Sequence, residues 1–395
     1  MGLSISALYN TIKDIGKGKK LLHIAFTGGG TGGHIYPGLA AAAELGRRCA
    51  ERGRGCRVFW IGSGAGMDRS IVEAAGLEFF GVPAGRFRRY FSLKTIPDFF
   101  RVLAGFFAAR RILKREKADL LFSKGGFVSV PPCAAAASLG IPVFTHESDY
   151  SPGLATKINI RFALRPGGKI FCAYEDTLRF LPASSAGRVV VSGNPVRGEF
   201  RSAGPERGRA FLGIGRDERI LLVLGGSQGA LEINRLVRES LAALTRWYTV
   251  VHQTGQDKEA GAGPAERYRP YPYIGAEMPQ VLAAAELVLG RSGAGTIWES
   301  AALAKPLVLV PLCGSGTRGD QVENARYFEK AGAALVLYGE EANRDSLVRV
   351  IGDLAENHEK RRLMAEASRK IGERDGAGLI AEAILESLKS QSPAK

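Results

Sequence analysis

From Thr27 the chain reads TGGGTGGHIYPGLAAA, a run of bare backbone that ends in an imidazole. Glycines let an anion approach the N–H groups at the start of a helix, where the dipole favours negative charge. The same dipole disfavours a protonated ring, so His34 at this place is fitted to act as a neutral general base. The alternative is a histidine hydrogen-bonded within its own turn. A second polar cluster, THESDYSPG, carries His146 and Glu147, and metal ligation is its rival use. The five histidines are scattered without ligand spacing and the chain has no DxD pair, so a phosphate must be met by N–H groups and by Arg or Lys. Two further glycine loops, GGSQGA with Ser227 and Gln228 and GRSGAGT ahead of Glu299, extend the theme. Glu299 stands where a carboxylate could grip ribose hydroxyls, or simply as an acid near a helix start.

The elements that must hold these loops are legible as short apolar runs bounded by turn residues. LLHIAF, CRVFWIG, ADLLFS, IPVFTH and RVVVSG read as buried strands with helical stretches between them. After GNPVRGEF the grammar restarts with RILLVLGG, TVVHQTG, AELVLGRSG and KPLVLVPL. Alternating strands and helices imply the α/β class, here two Rossmann-like, doubly wound parallel-sheet domains facing across a cleft. Ligands of such sheets sit beyond the carboxyl ends of the strands.

At 395 residues the chain is long enough for two domains. Lys and Arg outnumber Asp and Glu by 54 to 39, a surface suited to phosphates on nucleotides, nucleic acid or anionic lipid. Five cysteines without a CxxC pair indicate neither a disulfide framework nor a zinc knuckle, and fit a reducing cytoplasm. No apolar run reaches the ~18 residues that span a bilayer.

Seven stretches in order, GGGTGGHIYPGLA, SKGGFVSVP, HESDYSPGLA, GNPVR, GGSQGA, GRSGAGTIWESAALAKP and RGDQVENA, closely resemble the MurG family over about residues 20 to 385. The resemblance implies the GT-B fold and inverting transfer of N-acetylglucosamine from UDP-GlcNAc to the C4 hydroxyl of undecaprenyl-diphospho-N-acetylmuramoyl-pentapeptide, lipid I to lipid II. It implies a basic extension over 1–20, an acceptor and membrane-side domain over 21–195, a UDP-GlcNAc domain over 196–372 and a last helix over 373–390 that crosses back. On the donor side it points to Thr31, Gly32, Arg197, Ser227, Gln228, Ile274 (backbone to uracil), Glu299, Asp320 and Gln321. On the acceptor side it points to Thr31, His34, His146, Glu147 and Asp149. His34 leads as base with Glu147 as competitor, while the GGSQGA helix start and Arg197 take the leaving diphosphate; neither metal nor cofactor is implied. Many members carry HEQN in place of HESD and Gln or His where Asp320 stands, and some carry Tyr where Phe127 occurs; the HESD and RGDQ forms resemble the Gram-positive branch of the family.

A lipid-anchored acceptor requires work at a bilayer surface, as a peripheral protein on the cytoplasmic face. From Arg86 to Lys117 ten Lys or Arg residues interleave with seven aromatics and two acids, the chemistry of an interfacial segment on anionic lipid. The plain alternative is that Phe99, Leu103 and Phe106 face the core. Cell-wall synthesis proteins are candidate partners and nucleic acid is not. Competing readings are a diacylglycerol glucosyltransferase, a UDP-GlcNAc 2-epimerase, or a non-catalytic nucleotide-binding protein.

Overall fold

The computed structural model describes residues 21–64, 67–85, 95–226, 230–255, 266–314 and 317–389. The basic extension over 1–20, Ser227 with Gln228, and residues 86–94 of the basic-aromatic segment lie outside the described residues. The chain divides into two compact units: the first ends at Arg197 and takes up the chain again from Asp375, and the second is Gly198–Arg374.

The first unit holds seven strands: β1 (Leu22–Thr27), β2 (Cys56–Ser63), β3 (Glu78–Val82), β4 (Leu120–Ser123), β5 (Val143–Glu147), β6 (Lys169–Cys172) and β7 (Val189–Val191). All pair in parallel, in the order β3-β2-β1-β4-β5-β6-β7. Its helices are α1 (Gly32–Glu51), α2 (Asp68–Ala74), α3 (Thr95–Arg115), α4 (Val130–Ser138) and α5 (Leu154–Ala163). Helices cover both faces, so the central strands bury nearly every residue and read as continuous apolar runs. Phe26, Phe122, Phe171 and Phe144 form an aromatic row across one face, with ring centroids 5.1, 6.4 and 5.6 Å apart in turn.

The second unit holds β8 (Ile220–Leu224), β9 (Thr249–Gln253), β10 (Tyr268–Tyr271), β11 (Leu287–Gly290), β12 (Leu307–Leu309) and β13 (Ala334–Val336). They too are parallel, in the order β10-β9-β8-β11-β12-β13. Helices α6 (Gly198–Arg201), α7 (Pro205–Leu212), α8 (Leu231–Leu244), α9 (Met278–Ala284), α10 (Ala294–Ala302), α11 (Asp320–Lys330), α12 (Arg344–Glu356) and α13 (His358–Gly372) complete it. The final helix, α14 (Gly376–Lys389), belongs to the first unit. There Ile380, Ile384 and Leu388 enter the same core as Leu39 and Leu45 of α1, and Arg48 donates to Glu382 at 2.8 Å.

Four strands, β3, β6, β10 and β13, were not among the apolar runs of the sequence. Three of them are sheet edges, and β10 carries Arg269 and Pro270, which an edge tolerates because one side of the strand needs no partner. β6 is a four-residue inner strand that begins on a lysine, too short to stand out.

Candidate active site

In each sheet the strand order reverses beside the first strand of the unit, between β1 and β4 and between β8 and β11. At such a switch point adjacent loops leave in opposite directions and open a crevice. In the first unit Thr27 pairs with Ser123, so the loop 28–34 and Lys124–Gly126 emerge side by side.

Loop and imidazole are fitted to one another. Gly125 and Gly126 have φ of +87° and +79°, the left-handed region, and a Cβ on Gly126 would lie 2.6 Å from the Gly29 carbonyl oxygen and 3.0 Å from Cδ2 of His34. The His34 ring therefore rests on bare peptide, and the His34 backbone N–H donates to the Thr31 carbonyl at 3.1 Å. No side chain caps α1 at Thr31, and no acid stands in its first turn. Its leading N–H groups are thus in the arrangement that accepts an anion. Thr31 is exposed, Gly32 buried and His34 half-buried.

Asp68, absent from the sequence reading, braces this loop from below. It is 2% exposed and accepts from the N–H groups of Gly30 at 3.1 Å and Ser63 at 3.3 Å. Burial pushes its carboxyl up, against the pull of those two donors. The only sequence cue was an acid at the start of a helix.

The HESD stretch closes the site on the β5 side, with a division of labour the sequence did not show. His146 is fully buried, and its Nε2 donates to the Gly193 carbonyl oxygen at 3.0 Å. Burial, then the charge of Lys124, hold its pKa well below the ordinary imidazole range, against the Gly193 carbonyl. It is a neutral ring with no surface exposed, held under the HESD turn. Glu147 is 5% exposed with both oxygens employed, accepting from Asp149 N–H and Gly153 N–H, each at 3.0 Å. That geometry suits a staple for the turn 147–153 better than a base. Asp149 is the partly exposed carboxylate that the turn presents.

Arg197 lies in the first unit, with its guanidinium 5.0 Å over the ring of Tyr36 on α1. The sequence reading had put it at the start of the second domain. The stack holds the cation near the first glycine loop, where Thr31 and Gly32 also lie.

The second unit repeats the design. Gly226 has φ of +89°, and α8 starts at Leu231 after Ala230, whose side chain makes no capping hydrogen bond. Gln253, at the end of β9, accepts from the Ile274 N–H at 3.0 Å and donates to the Gly226 carbonyl at 3.4 Å. The N–H of Ile274 is thereby occupied. After β11, Arg291 donates to the Val310 carbonyl at 3.0 Å and to Glu232 at 2.5 Å, tying the loop to the first turn of α8. Gln253 and Arg291 were both missed, although each directly follows an apolar run. Glu299 is half-buried on α10, whose first turn has no acid. Gln321 accepts from Leu312 N–H at 3.0 Å through its side chain and from Ser292 Oγ at 2.7 Å through its carbonyl. Its neighbour Asp320 pairs with Arg318 at 3.4 Å.

Glycosyltransferase family 28 accounts for both units: its N-terminal domain matches residues 24–166 and its C-terminal domain residues 220–380. A Treponema denticola UDP-N-acetylglucosamine–N-acetylmuramyl-(pentapeptide) pyrophosphoryl-undecaprenol N-acetylglucosamine transferase is 47% identical, across 91% of this chain and 96% of its own. The chain belongs to this transferase family, MurG. A Bacillus cereus member is 40% identical across 85% of this chain and 92% of its own. The Acinetobacter baumannii MurG crystal structure superposes with a TM-score of 0.68 at 24% identity, covering 92% of this chain and 99% of that one. A UDP-N-acetylglucosamine 2-epimerase shares the fold at a TM-score of 0.65 and 14% identity, covering 95% and 98%. The two-unit fold therefore does not itself choose between transferase and epimerase. The near full-length MurG identity does.

Proposed function

We propose that this chain transfers N-acetylglucosamine from UDP-GlcNAc to the C4 hydroxyl of lipid I, giving lipid II. The observation that carries the reading is 47% identity to the Treponema denticola transferase over nearly the whole of both chains. The attacking oxygen forms a bond to the anomeric carbon as the bond from that carbon to UDP breaks, so the configuration inverts from α to β. The hydroxyl proton passes to His34, and UDP departs with the electron pair. Glu147 is assigned to holding the turn, and Asp149 to meeting the acceptor sugar. For the donor we assign Glu299 to the ribose, the Ile274 carbonyl to uracil, and Ser227, Gln228, Asp320 and Gln321 to the diphosphate and sugar. Thr31, Gly32 and Arg197 offer N–H groups and a guanidinium to phosphate. Radiolabelled GlcNAc should pass from UDP-GlcNAc to a soluble lipid I analogue. Conversion of UDP-GlcNAc to UDP-N-acetylmannosamine instead, with no label on the acceptor, would identify an epimerase.

We assign peripheral membrane contact, at the cytoplasmic face where UDP-GlcNAc is met, to α3. Phe99, Phe100 and Phe107 are 59%, 62% and 60% exposed, with Leu103 at 44%. This corrects the alternative that Phe99 and Leu103 face the core; Phe106 is half-buried against it. Exposed Arg101, Arg110, Arg111 and Lys114 share the helix, and rings with basic heads are suited to an anionic interface. Among the described residues no helix is long and apolar enough to cross a membrane. The double variant Phe100→Ser, Phe107→Ser should sediment with anionic liposomes about tenfold more weakly, with transfer to a soluble acceptor unchanged. Equal sedimentation of both proteins would remove α3 from this role.

A further inference from the structure

Lys124 follows β4 directly and is 1% exposed, an ammonium placed where an apolar side chain would be expected. Its Cβ lies 3.1 Å and 3.6 Å from where Gly28 and Gly38 would carry theirs, so its stem runs beneath the first glycine loop and the start of α1. Nζ donates to Ser148 Oγ at 2.6 Å, and Ser148 Oγ donates onward to Asn194 Oδ1 at 2.5 Å. Two hydrogen bonds thus join the ends of β4 and β5 to the segment after β7. Ser148 is the residue between Glu147, whose carboxylate holds the Asp149 N–H, and Asp149 itself. The turn is pinned on two consecutive residues immediately before the carboxylate it presents.

We propose that Lys124 is a positioning residue for the acceptor: through Ser148 its buried ammonium fixes the turn that aims Asp149 at the acceptor sugar. The inference rests on the assignment of the first unit to the acceptor. Burying an ammonium costs stability unless the charge is compensated, and a methionine would fill much the same space. What the lysine adds is a donor and a positive charge beside an acidic turn. The titratable groups facing it are Glu147, Asp149 and neutral His146 from the β5 side, and His34 from the α1 side, whose ring lies on the two residues after Lys124.

Burial brings the Lys124 pKa down to about 8, against the pull of Glu147 and Asp149. The charge-assisted part of that positioning is therefore present below that pH and weakens as pH rises through it.

The test is an initial-rate study with lipid I analogue and UDP-GlcNAc each varied across that pH, on the unaltered chain, Lys124→Met and Ser148→Ala. The unaltered chain should show an acceptor KM that climbs on the alkaline side. Lys124→Met should show an acceptor KM raised about tenfold and flat across the same range, with donor KM unchanged and thermal stability not lowered. Ser148→Ala, which keeps the charge and cuts the link, should raise the same KM and tests the link should Lys124→Met not fold. An unchanged acceptor KM and pH profile in these variants, or a loss of kcat and stability with neither KM moved, would overturn the proposal. A rise in donor KM alone would overturn the acceptor assignment of the first unit, and the proposal with it.

Discussion

Replacing His34 by Ala lowers turnover about 10²–10⁴-fold, the range a positioned general base supplies, while UDP affinity stays near that of the unaltered chain. The two effects separate because His34, on the Gly125–Gly126 backbone of the first unit, is assigned to the acceptor hydroxyl, whereas uracil and ribose are assigned to loops of the second and Thr31, Gly32 and Arg197 meet only phosphate. Glu147 cannot readily substitute, since both of its oxygens are held by backbone donors and it is 5% exposed. Steady-state transfer to a lipid I analogue, with UDP binding by calorimetry on the same protein, makes the comparison. Equal losses in both would take His34 out of the base role and make it part of the nucleotide site.

Gly126→Ala is the second large effect, about a hundredfold loss of turnover, although no functional group is removed. An added methyl meets the Gly29 carbonyl oxygen at 2.6 Å and the His34 ring at 3.0 Å, from a φ of +79° that L side chains rarely adopt. Relief requires the imidazole or the first glycine loop to move, and a displacement of about 1 Å at a reacting group can cost about 10²-fold. Gly140 provides the control. It has φ of +72° with nothing within 4 Å of an added Cβ, so Gly140→Ala carries a similar backbone penalty of about 1–2 kcal/mol without touching the site. Thermal unfolding should fall in both variants, further in Gly126→Ala because of the added clash, and transfer should fall only in Gly126→Ala. Equal activity in both would show that the close approach of His34 to this peptide has no catalytic consequence.

The sequence displayed the framework because parallel strands covered on both faces lose their polar alternation. LLHIAF and RILLVLGG are conspicuous for that reason, and the glycines that end them mark the loops. Edge strands hide: YRPY of β10 carries an arginine and a proline that a central strand would reject. The site was legible where its chemistry is carried by bare backbone and by the one imidazole beside it. It was not legible where a polar residue serves another polar residue. HESD reads as four residues of similar standing, yet packing makes His146 a buried strut, Glu147 a staple, Ser148 a link and Asp149 the carboxylate presented. Lys124 and Asp68 likewise gain their roles from distant partners, Ser148 after β5 and Gly30 after β1, which no spacing along the chain announces. Arg197 was assigned across the unit boundary because GNPVR ends the first unit at the residue that stacks back on Tyr36.

The division of labour between the two glycine-loop sites is most directly tested by amide hydrogen exchange with each substrate added alone. UDP-GlcNAc should protect the first turns of α8 and α10 in the second unit, and a lipid I analogue should protect residues 28–34 and 124–126 in the first. Protection of the first-unit loops by donor alone, with α8 and α10 exchanging as before, would contradict the account.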